Sequence, residues 1–217
     1  HSFLKRHRGE LRTKSPRVLE PERAAVRPDQ LRTFFFETLD PLRVQHKYNP
    51  SLMAKFDETM LQILTDKTQC VIPSSQRLAF TIQEEAPFHI TFGMTIFADG
   101  TDCKPLLILP QLEFPLGLPQ ELIHFCTWSG QPAGWISSEI WADWTKKTFL
   151  PEIARRRRDL EMPEARALLL VDGHATRTDV VTLDLFRQNK IDLVTFVAHA
   201  SHLLQPLDLW CYLQFKT

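Results

Sequence analysis

Hydrophobic and polar residues alternate in two stretches near the middle of the chain. Every second residue of 90–96 is apolar, which is typical of a β-strand with one face in a core. Ala98-Asp99-Gly100 then predicts a turn, and PLLILP (105–110) predicts a second strand, so the two stretches should form a hairpin. A short apolar run that ends in acids, LMAKFDET (52–59), predicts a further strand, and residues 59–87 show no regular pattern.

Helical spacing of apolar residues appears in other parts of the chain. Residues 28–44 predict an amphipathic helix with Pro28 in its first turn. Ser137 is a suitable N-cap for a second helix, which Pro151 should end or kink. A third helix is expected over 178–189, and a last one near Leu203.

The second half of the chain predicts parallel strands joined by a helix. ARALLLVD (165–172) is apolar without alternation, which is typical of a strand buried on both faces. With the helix at 178–189 and the strand IDLVTFV (191–197), it makes a βαβ unit. A hairpin followed by such crossovers predicts an α/β fold, with helices packed on a mixed five-stranded sheet.

Three acids follow from this order of elements as a candidate site. Asp57 is expected to end the first strand, and Asp172 the first buried parallel strand. Asp208 lies in an apolar run, LLQPLDLW (203–210), where a carboxylate is costly unless it is paired, metal-bound or exposed at a helix start. Neighbouring central strands would bring the first two acids together, and the last helix could place the third above them.

Composition excludes some classes of protein. The 217 residues are 43% hydrophobic and 24% charged, which is ordinary for a globular domain. No stretch of eighteen apolar residues predicts a membrane span. Lys plus Arg equals Asp plus Glu, 26 each, so nucleic-acid binding would have to rest on a local patch. The four cysteines are scattered, which favours reduced thiols and a reducing compartment: Cys70, Cys103, Cys126 and Cys211.

Three histidines lie near the second and third acids. The spacing of His174, His199 and His202 is not that of a structural zinc site, and no cysteine joins them. We expect His199 and His202 to hydrogen-bond the loop before the last helix. For His174 a phosphate contact and a purely structural role both stay open.

Other prominent residues have ordinary explanations. The run Arg155–Arg158 is interpreted as a solvated helix face, with a phosphate-contacting stripe as the alternative. The nearby tryptophans are expected to pack in the core: Trp135, Trp141 and Trp144. Three further acids are expected to be turn residues: Asp66, Asp99 and Asp102.

Six motifs follow one another along the chain: HSFLKRH (1–7), FDET (56–59), FADGTDCKPLLIL (97–109), GWISSEIWADW (134–144), LLLVDGHATR (168–177) and HASHLLQPLD (199–208). In this order they resemble the DDE superfamily endonuclease domain of pogo-type transposases and their domesticated relatives, including the Tigger and Jerky proteins. The 36-residue separation of Asp172 and Asp208 is also similar to the acid spacing of that family. Arg177 stands where the family usually has a further His.

This resemblance implies an RNase H-like fold with Asp57, Asp172 and Asp208 as the catalytic, metal-binding triad. It implies two Mg²⁺ (or Mn²⁺) ions held by carboxylate oxygens. The expected activity is metal-dependent DNA cleavage and strand transfer at transposon ends, in the nucleus, with a possible homodimer and no membrane. The alternative is a domesticated, catalytically silent nuclear domain that binds DNA or protein.

The resemblance also implies a domain organisation. Residues 1–27 are expected to be the tail of a helix-turn-helix DNA-binding region followed by a linker. Residues 28–217 are expected to be the endonuclease-like core. Nine residues follow Asp208, fewer than the family usually has, so this core is expected to be truncated at its C-terminus.

Overall fold

The computed structural model describes residues 6–7, 25–62, 89–110, 124–198, 200–207 and 211–212. Its strands form one sheet: β1 (Met53–Gln62), β2 (His89–Phe97), β3 (Asp102–Leu109), β4 (Thr127–Gly130), β5 (Ala167–Val171) and β6 (Ile191–Thr195). The α-helices are α1 (Pro28–Thr33), α2 (Asp40–His46), α3 (Ser138–Trp144), α4 (Leu150–Asp159), α5 (Val180–Gln188) and α6 (Ser201–Leu204). Wider π-helical turns, Phe34–Leu39 and Thr145–Phe149, join α1 to α2 and α3 to α4.

The sheet is mixed and has the order β4-β3-β2-β1-β5-β6. The predicted hairpin is confirmed, because β2 pairs with both β1 and β3 in antiparallel orientation. β5 and β6 continue the sheet in parallel from β1, as the predicted βαβ unit requires. The expected count of five strands was too low, because the described residues form a sheet of six. The extra strand, β4, is a four-residue edge strand without an alternating pattern.

β1 is longer than its sequence pattern predicted. It continues to Gln62, so Asp57 lies in the middle of the strand and not at its end. The reason is that polar residues after Asp57 still pair with β2, as Thr59 does with Phe92. The structure does not describe residues 63–88, which contain Asp66, Cys70 and the rest of the segment that showed no regular pattern.

Helices pack on both faces of the sheet, and the sheet separates the core into two clusters. On one face, Phe56 of β1 packs against the rings of Trp141 and Trp144, with centroids 5.0 and 4.7 Å away. On the other face, a smaller cluster holds Phe34 and Phe196 in edge-to-face contact. Successive residues of β1 therefore reach two different environments, which determines the surroundings of each acid in this strand.

The helix that begins at Ser137 differs from its prediction at the C-terminal end. The Ser137 side chain accepts a hydrogen bond from the Ile140 amide, as expected of an N-cap. However, the helical segment passes through Pro151 and continues to Asp159. The preceding turn is π-helical, with the Leu150 amide bonded to the Thr145 carbonyl, and a wide turn of this kind accommodates a proline without an amide proton.

The arginine run is mainly structural. Arg156 is buried and stacks on Phe97, with its Cζ 3.4 Å from the ring centroid. Arg157 donates to the backbone carbonyls of Ala165 and Asn189. The interpretation as a solvated face was therefore wrong for these two residues, because their neighbours offer carbonyl and carboxylate acceptors.

The predictions for the core tryptophans and the turn acids are confirmed only in part. Trp141 and Trp144 are core residues, as predicted, whereas Trp135 is 54% exposed and the core prediction was wrong for it. Asp99 is a turn acid, since its Oδ1 accepts from the Thr101 amide, but Asp102 begins β3. Among the described helices, none combines the length and apolar character needed to cross a membrane.

Candidate active site

Asp57 is a buried carboxylate in the centre of the sheet. It is 5% exposed and lies on the face of β1 opposite the tryptophan cluster. Gln205 Nε2 donates a hydrogen bond of 2.9 Å to Asp57 Oδ1. Tyr212 Oη donates to the backbone carbonyl of the same residue at 2.7 Å. Gln205 and Tyr212 therefore both lie against the centre of β1.

Asp172 lies at the carboxyl end of the neighbouring strand. β1 and β5 are parallel, with Met53 opposite Leu168 and Lys55 opposite Leu170. The same offset, continued for two residues, places Asp57 opposite Asp172. Adjacent strands lie about 4.8 Å apart, so these two acids occupy neighbouring positions. The Asp172 side chain is 29% exposed and is accessible from solvent.

Asp208 lies outside the described residues. In the sequence it stands between Gln205 and Tyr212, both of which contact Asp57. The predicted final helix is present as α6, although it begins at Ser201 and is short. Gln205, which directly follows α6, contacts Asp57, and the position of Asp208 above the first two acids stays a prediction.

A buried arginine connects two of the acids in this region. Arg177 is fully buried and forms an ion pair with Glu58, and its Nε lies 3.6 Å from Asp172 Oδ1. Burial raises the pKa of Glu58 above its usual value, although the Arg177 guanidinium opposes this shift. Glu58 therefore does take part in the electrostatics of the site, although it projects from the other face of β1.

A buried lysine supplies a second positive charge. Lys55 is 5% exposed, and its Nζ donates to the Phe56 carbonyl at 2.5 Å and lies 4.7 Å from the ring centroid of Phe196. Burial lowers the pKa of this amine to about 8, against the opposing effect of Asp57 and Asp172. The ammonium form thus persists at neutral pH in the immediate field of both carboxylates.

The residues fit a hard divalent cation in type, and the described part of the chain supplies only some of the ligands. Asp57 and Asp172 offer carboxylate oxygens, which are the ligands that Mg²⁺ and Mn²⁺ prefer. Gln205 Oε1 is buried and has no hydrogen-bond partner among the described residues, and it belongs to the amide that holds Asp57. Within those residues, no three His, Cys, Asp or Glu side chains are grouped closely enough to hold a metal.

The histidines near the site are described only in part. His174 caps the short helical turn Ala175–Thr178, where its Nδ1 accepts from the Thr176 amide. It is exposed, so the structural role is present and its surface is also open to solvent. The side chains of His199 and His202 lie outside the described residues, and their predicted hydrogen bonds stay predictions.

Sequence reasoning did not find three residues that shape this site, Lys55, Gln205 and Tyr212, and it left out Glu58 because this residue alternates to the other side of the strand. Arg177 was noted only as a difference from the family motif. Their contacts span long sequence separations, such as the 148 residues between Asp57 and Gln205. The sequence offers a signal for two of them: Glu58 directly follows Asp57 in the FDET motif, and Gln205 lies three residues before Asp208 in the HASHLLQPLD motif.

Comparison with known proteins agrees with this geometry. A family model described as "DDE superfamily endonuclease" matches residues 96–217, more than half of the chain and a range that includes Asp172 and Asp208. The mouse protein "Pogo transposable element with KRAB domain" is 26% identical over 180 residues, which are 79% of this chain and 27% of that protein. The Cochliobolus lunatus protein "MFS-type transporter clz9" is also 26% identical over 180 residues, 80% of this chain and 19% of that protein. The chain thus spans about a quarter or less of the length of these relatives.

Solved structures with a similar fold are those of the Mos1 transposase. The pre-cleavage Mos1 transpososome has a TM-score of 0.60 at 11% identity, over 99% of this chain and 56% of the Mos1 chain. The Mos1 mariner paired-end complex with Mn has a TM-score of 0.59 at 11% identity, with the same coverage. The corresponding complex with Mg has a TM-score of 0.52 at 11% identity, over 92% and 51%. At this identity the likeness concerns the fold, which is RNase H-like.

The family match, the sheet order and the acids on β1 and after β5 all point to the same group of proteins. The chain belongs to the DDE superfamily endonuclease family and is a transposase-like domain.

Proposed function

We propose that this chain is the metal-dependent DNA endonuclease and strand-transferase core of a pogo-like transposase, with Asp57, Asp172 and Asp208 as its metal-binding triad. The observation that carries the proposal is the register of β1 and β5, which pairs Lys55 with Leu170 and, continued for two residues, supports neighbouring positions for the first two acids. The contact of Gln205 with Asp57 supports the third, because it brings the segment before Asp208 to the same carboxylate.

The residues of the chain have distinct roles in this proposal. Asp57 and Asp172 would hold Mg²⁺ or Mn²⁺ through carboxylate oxygens, and Asp208 would complete the set. Two such ions would activate the attacking water or 3′-hydroxyl and stabilise the leaving oxygen of a phosphodiester. Gln205 orients Asp57 by its hydrogen bond, and Tyr212 fixes the backbone at the same position.

The proposed partner is DNA, in particular transposon ends. A further Mos1 structure is a paired-end complex with the left transposon end, which supports DNA as the substrate; a homodimer is part of the proposal. The pogo relative supports action on DNA and hence a nuclear location. The expected division into residues 1–27, from a helix-turn-helix region and linker, and 28–217, the core, forms part of the proposal.

The test is strand cleavage of DNA with Mn²⁺ present and absent. The wild-type chain should nick supercoiled plasmid DNA only when the cation is added. Asp57→Asn, Asp172→Asn and Asp208→Asn should each lower nicking by about a hundredfold or more, because loss of a metal-orienting group removes several kcal/mol of transition-state stabilisation. A folded variant that nicks DNA at the wild-type rate would contradict the assignment of the acid that it replaces.

One specific observation favours the alternative, a catalytically silent domain that binds DNA or protein. Two buried cations, Lys55 and Arg177, lie among the acids that a divalent ion would use. A chain that folds and binds DNA, but does not cleave it with any divalent cation, would establish the silent function.

A further inference from the structure

Arg177 is the most completely enclosed charged side chain near the proposed site. Its guanidinium lies 5.0 Å from the ring centroid of Phe56 and 4.7 Å from that of Trp141. Its side chain is 0% exposed. Arginine stays protonated in such surroundings, so the fold carries a permanent positive charge beneath the site.

The acids around this charge explain its burial. Arg177 Nη2 forms its close contact with Glu58 Oε2, and Nε lies 3.6 Å from Asp172 Oδ1. Nε has no hydrogen-bond partner among the described residues. Lys55 and His174 are the other basic groups that face these acids. Arg177 therefore stands between an acid on the tryptophan face of β1 and the acid after β5.

We infer that Arg177 is a built-in counter-ion, which holds Glu58 and Asp172 together when no metal is bound and with which a divalent cation has to compete for Asp172. The inference rests on the proposed function in one respect, the assignment of Asp172 as a metal ligand. A permanent positive charge next to a ligand carboxylate lowers its attraction for a second cation. The same charge lets the fold form without metal, because the acids do not face each other unpaired.

The first experiment measures Mn²⁺ binding by calorimetry at neutral pH. Arg177→Gln removes the charge and should bind Mn²⁺ about tenfold more tightly than wild type, or about 1.4 kcal/mol. Arg177→Lys keeps the charge and should stay close to wild type. Unchanged or weaker binding by a folded Arg177→Gln variant would overturn the inference.

Arg156 provides the matched control. It is also buried, stacked on an aromatic ring and paired with acids, Asp99 and Glu152. Arg156→Gln should destabilise the fold and leave the Mn²⁺ affinity unchanged. If this variant also tightened binding, the effect would come from a loosened fold and the counter-ion role would be wrong.

The second experiment needs no metal. In the presence of EDTA, Glu58→Gln should lower the urea midpoint of the wild-type chain, since it takes away the close partner of Arg177. In the Arg177→Gln background the same change should raise the midpoint, because it removes an acid that has lost its counter-ion. Equal effects in both backgrounds would contradict the inference.

The two experiments separate this inference from the proposed function. If neither wild type nor Arg177→Gln takes up millimolar Mn²⁺, the metal-dependent function is contradicted, and the EDTA comparison alone decides the role of Arg177. If Arg177→Gln does not fold, Glu58→Gln replaces it. In that variant Asp172 is the remaining acid next to the Arg177 guanidinium, so Mn²⁺ binding should weaken. Unchanged or tighter binding would overturn the inference.

Discussion

Gly93 on β2 has no side chain, and this allows the ring of Phe56 to lie close to its backbone. A Cβ atom at this position would stand 2.8 Å from Phe56 Cζ and 3.3 Å from Leu106 Cβ. Phe56 cannot move freely, because it packs on Trp141 and carries the Arg177 guanidinium. Gly93→Ala should therefore lower the free energy of unfolding by about 1–3 kcal/mol, measured by urea denaturation.

Gly173 is the matched control for this substitution. Among the described residues, a Cβ there meets the Phe196 carbonyl oxygen alone, at 3.8 Å, which is ordinary contact. Gly173→Ala should stay within about 0.5 kcal/mol of wild type. Equal losses for the two variants would show that the close approach of Phe56 is not the cause.

We expect the protein to lose stability in acid, because the carboxylate of Asp192 on β6 becomes protonated there. It accepts hydrogen bonds from Tyr48 Oη at 2.6 Å and from Arg166 Nε at 2.8 Å. Burial acts to raise the pKa of this carboxyl, but the bonds from Arg166 and Tyr48 outweigh it and hold the pKa below its usual value. A lowered folded-state pKa stabilises the protein above the unfolded value, near 3.9, and this contribution is lost as the pH falls through the folded pKa.

The measurement is urea unfolding of wild type and Asp192→Asn at several pH values. Asp192→Asn should be clearly less stable than wild type at pH 7, and the difference between the two should shrink steadily below about pH 4. A difference that stays constant down to pH 2 would show that the charge of Asp192 does not stabilise the fold.

Arg156 joins three elements through one guanidinium. It pairs with Glu152 one turn earlier in α4, with Asp99 in the β2–β3 turn, and with the backbone carbonyl of Ser51 before β1. Arg156→Gln leaves these acceptors partly unsatisfied and should cost about 3 kcal/mol or more. The exposed Arg158 is the control, and Arg158→Gln should change stability by less than about 0.5 kcal/mol. A calorimetric melt compares the two, and similar melting temperatures would count against the role of Arg156.

At the scale of the elements, prediction succeeded where one physical cause dominated the sequence pattern. The hairpin and the buried strand at 165–172 were predictable, because alternation and continuous apolar runs follow directly from burial on one or two faces. β4 was not, since four residues at a sheet edge carry too little pattern. The passage of the helix through Pro151 was not either, because the preceding π-helical turn depends on tertiary packing.

At the scale of the whole molecule, the sequence predicted the acids but not what surrounds them. Asp57 and Asp172 follow from motifs within single strands. The ion pair of Arg177 with Glu58 spans 119 residues, and the bond of Tyr212 to Asp57 spans 155. No periodicity or local spacing connects such residues, so the charge balance of the site becomes visible only in the folded chain.

The proposed function depends on one claim, that Asp57, Asp172 and Asp208 form a site for divalent cations. A cation that binds only the folded state raises stability by mass action, by about 2.7 kcal/mol at a hundred times its dissociation constant. We therefore expect millimolar Mn²⁺ to raise the melting temperature of the wild-type chain. Asp172→Asn should remove most of this rise. Asp143 is an exposed acid on α3 that pairs with Lys147, and Asp143→Asn should keep the rise. A wild-type chain that melts at the same temperature with and without Mn²⁺ would contradict this claim.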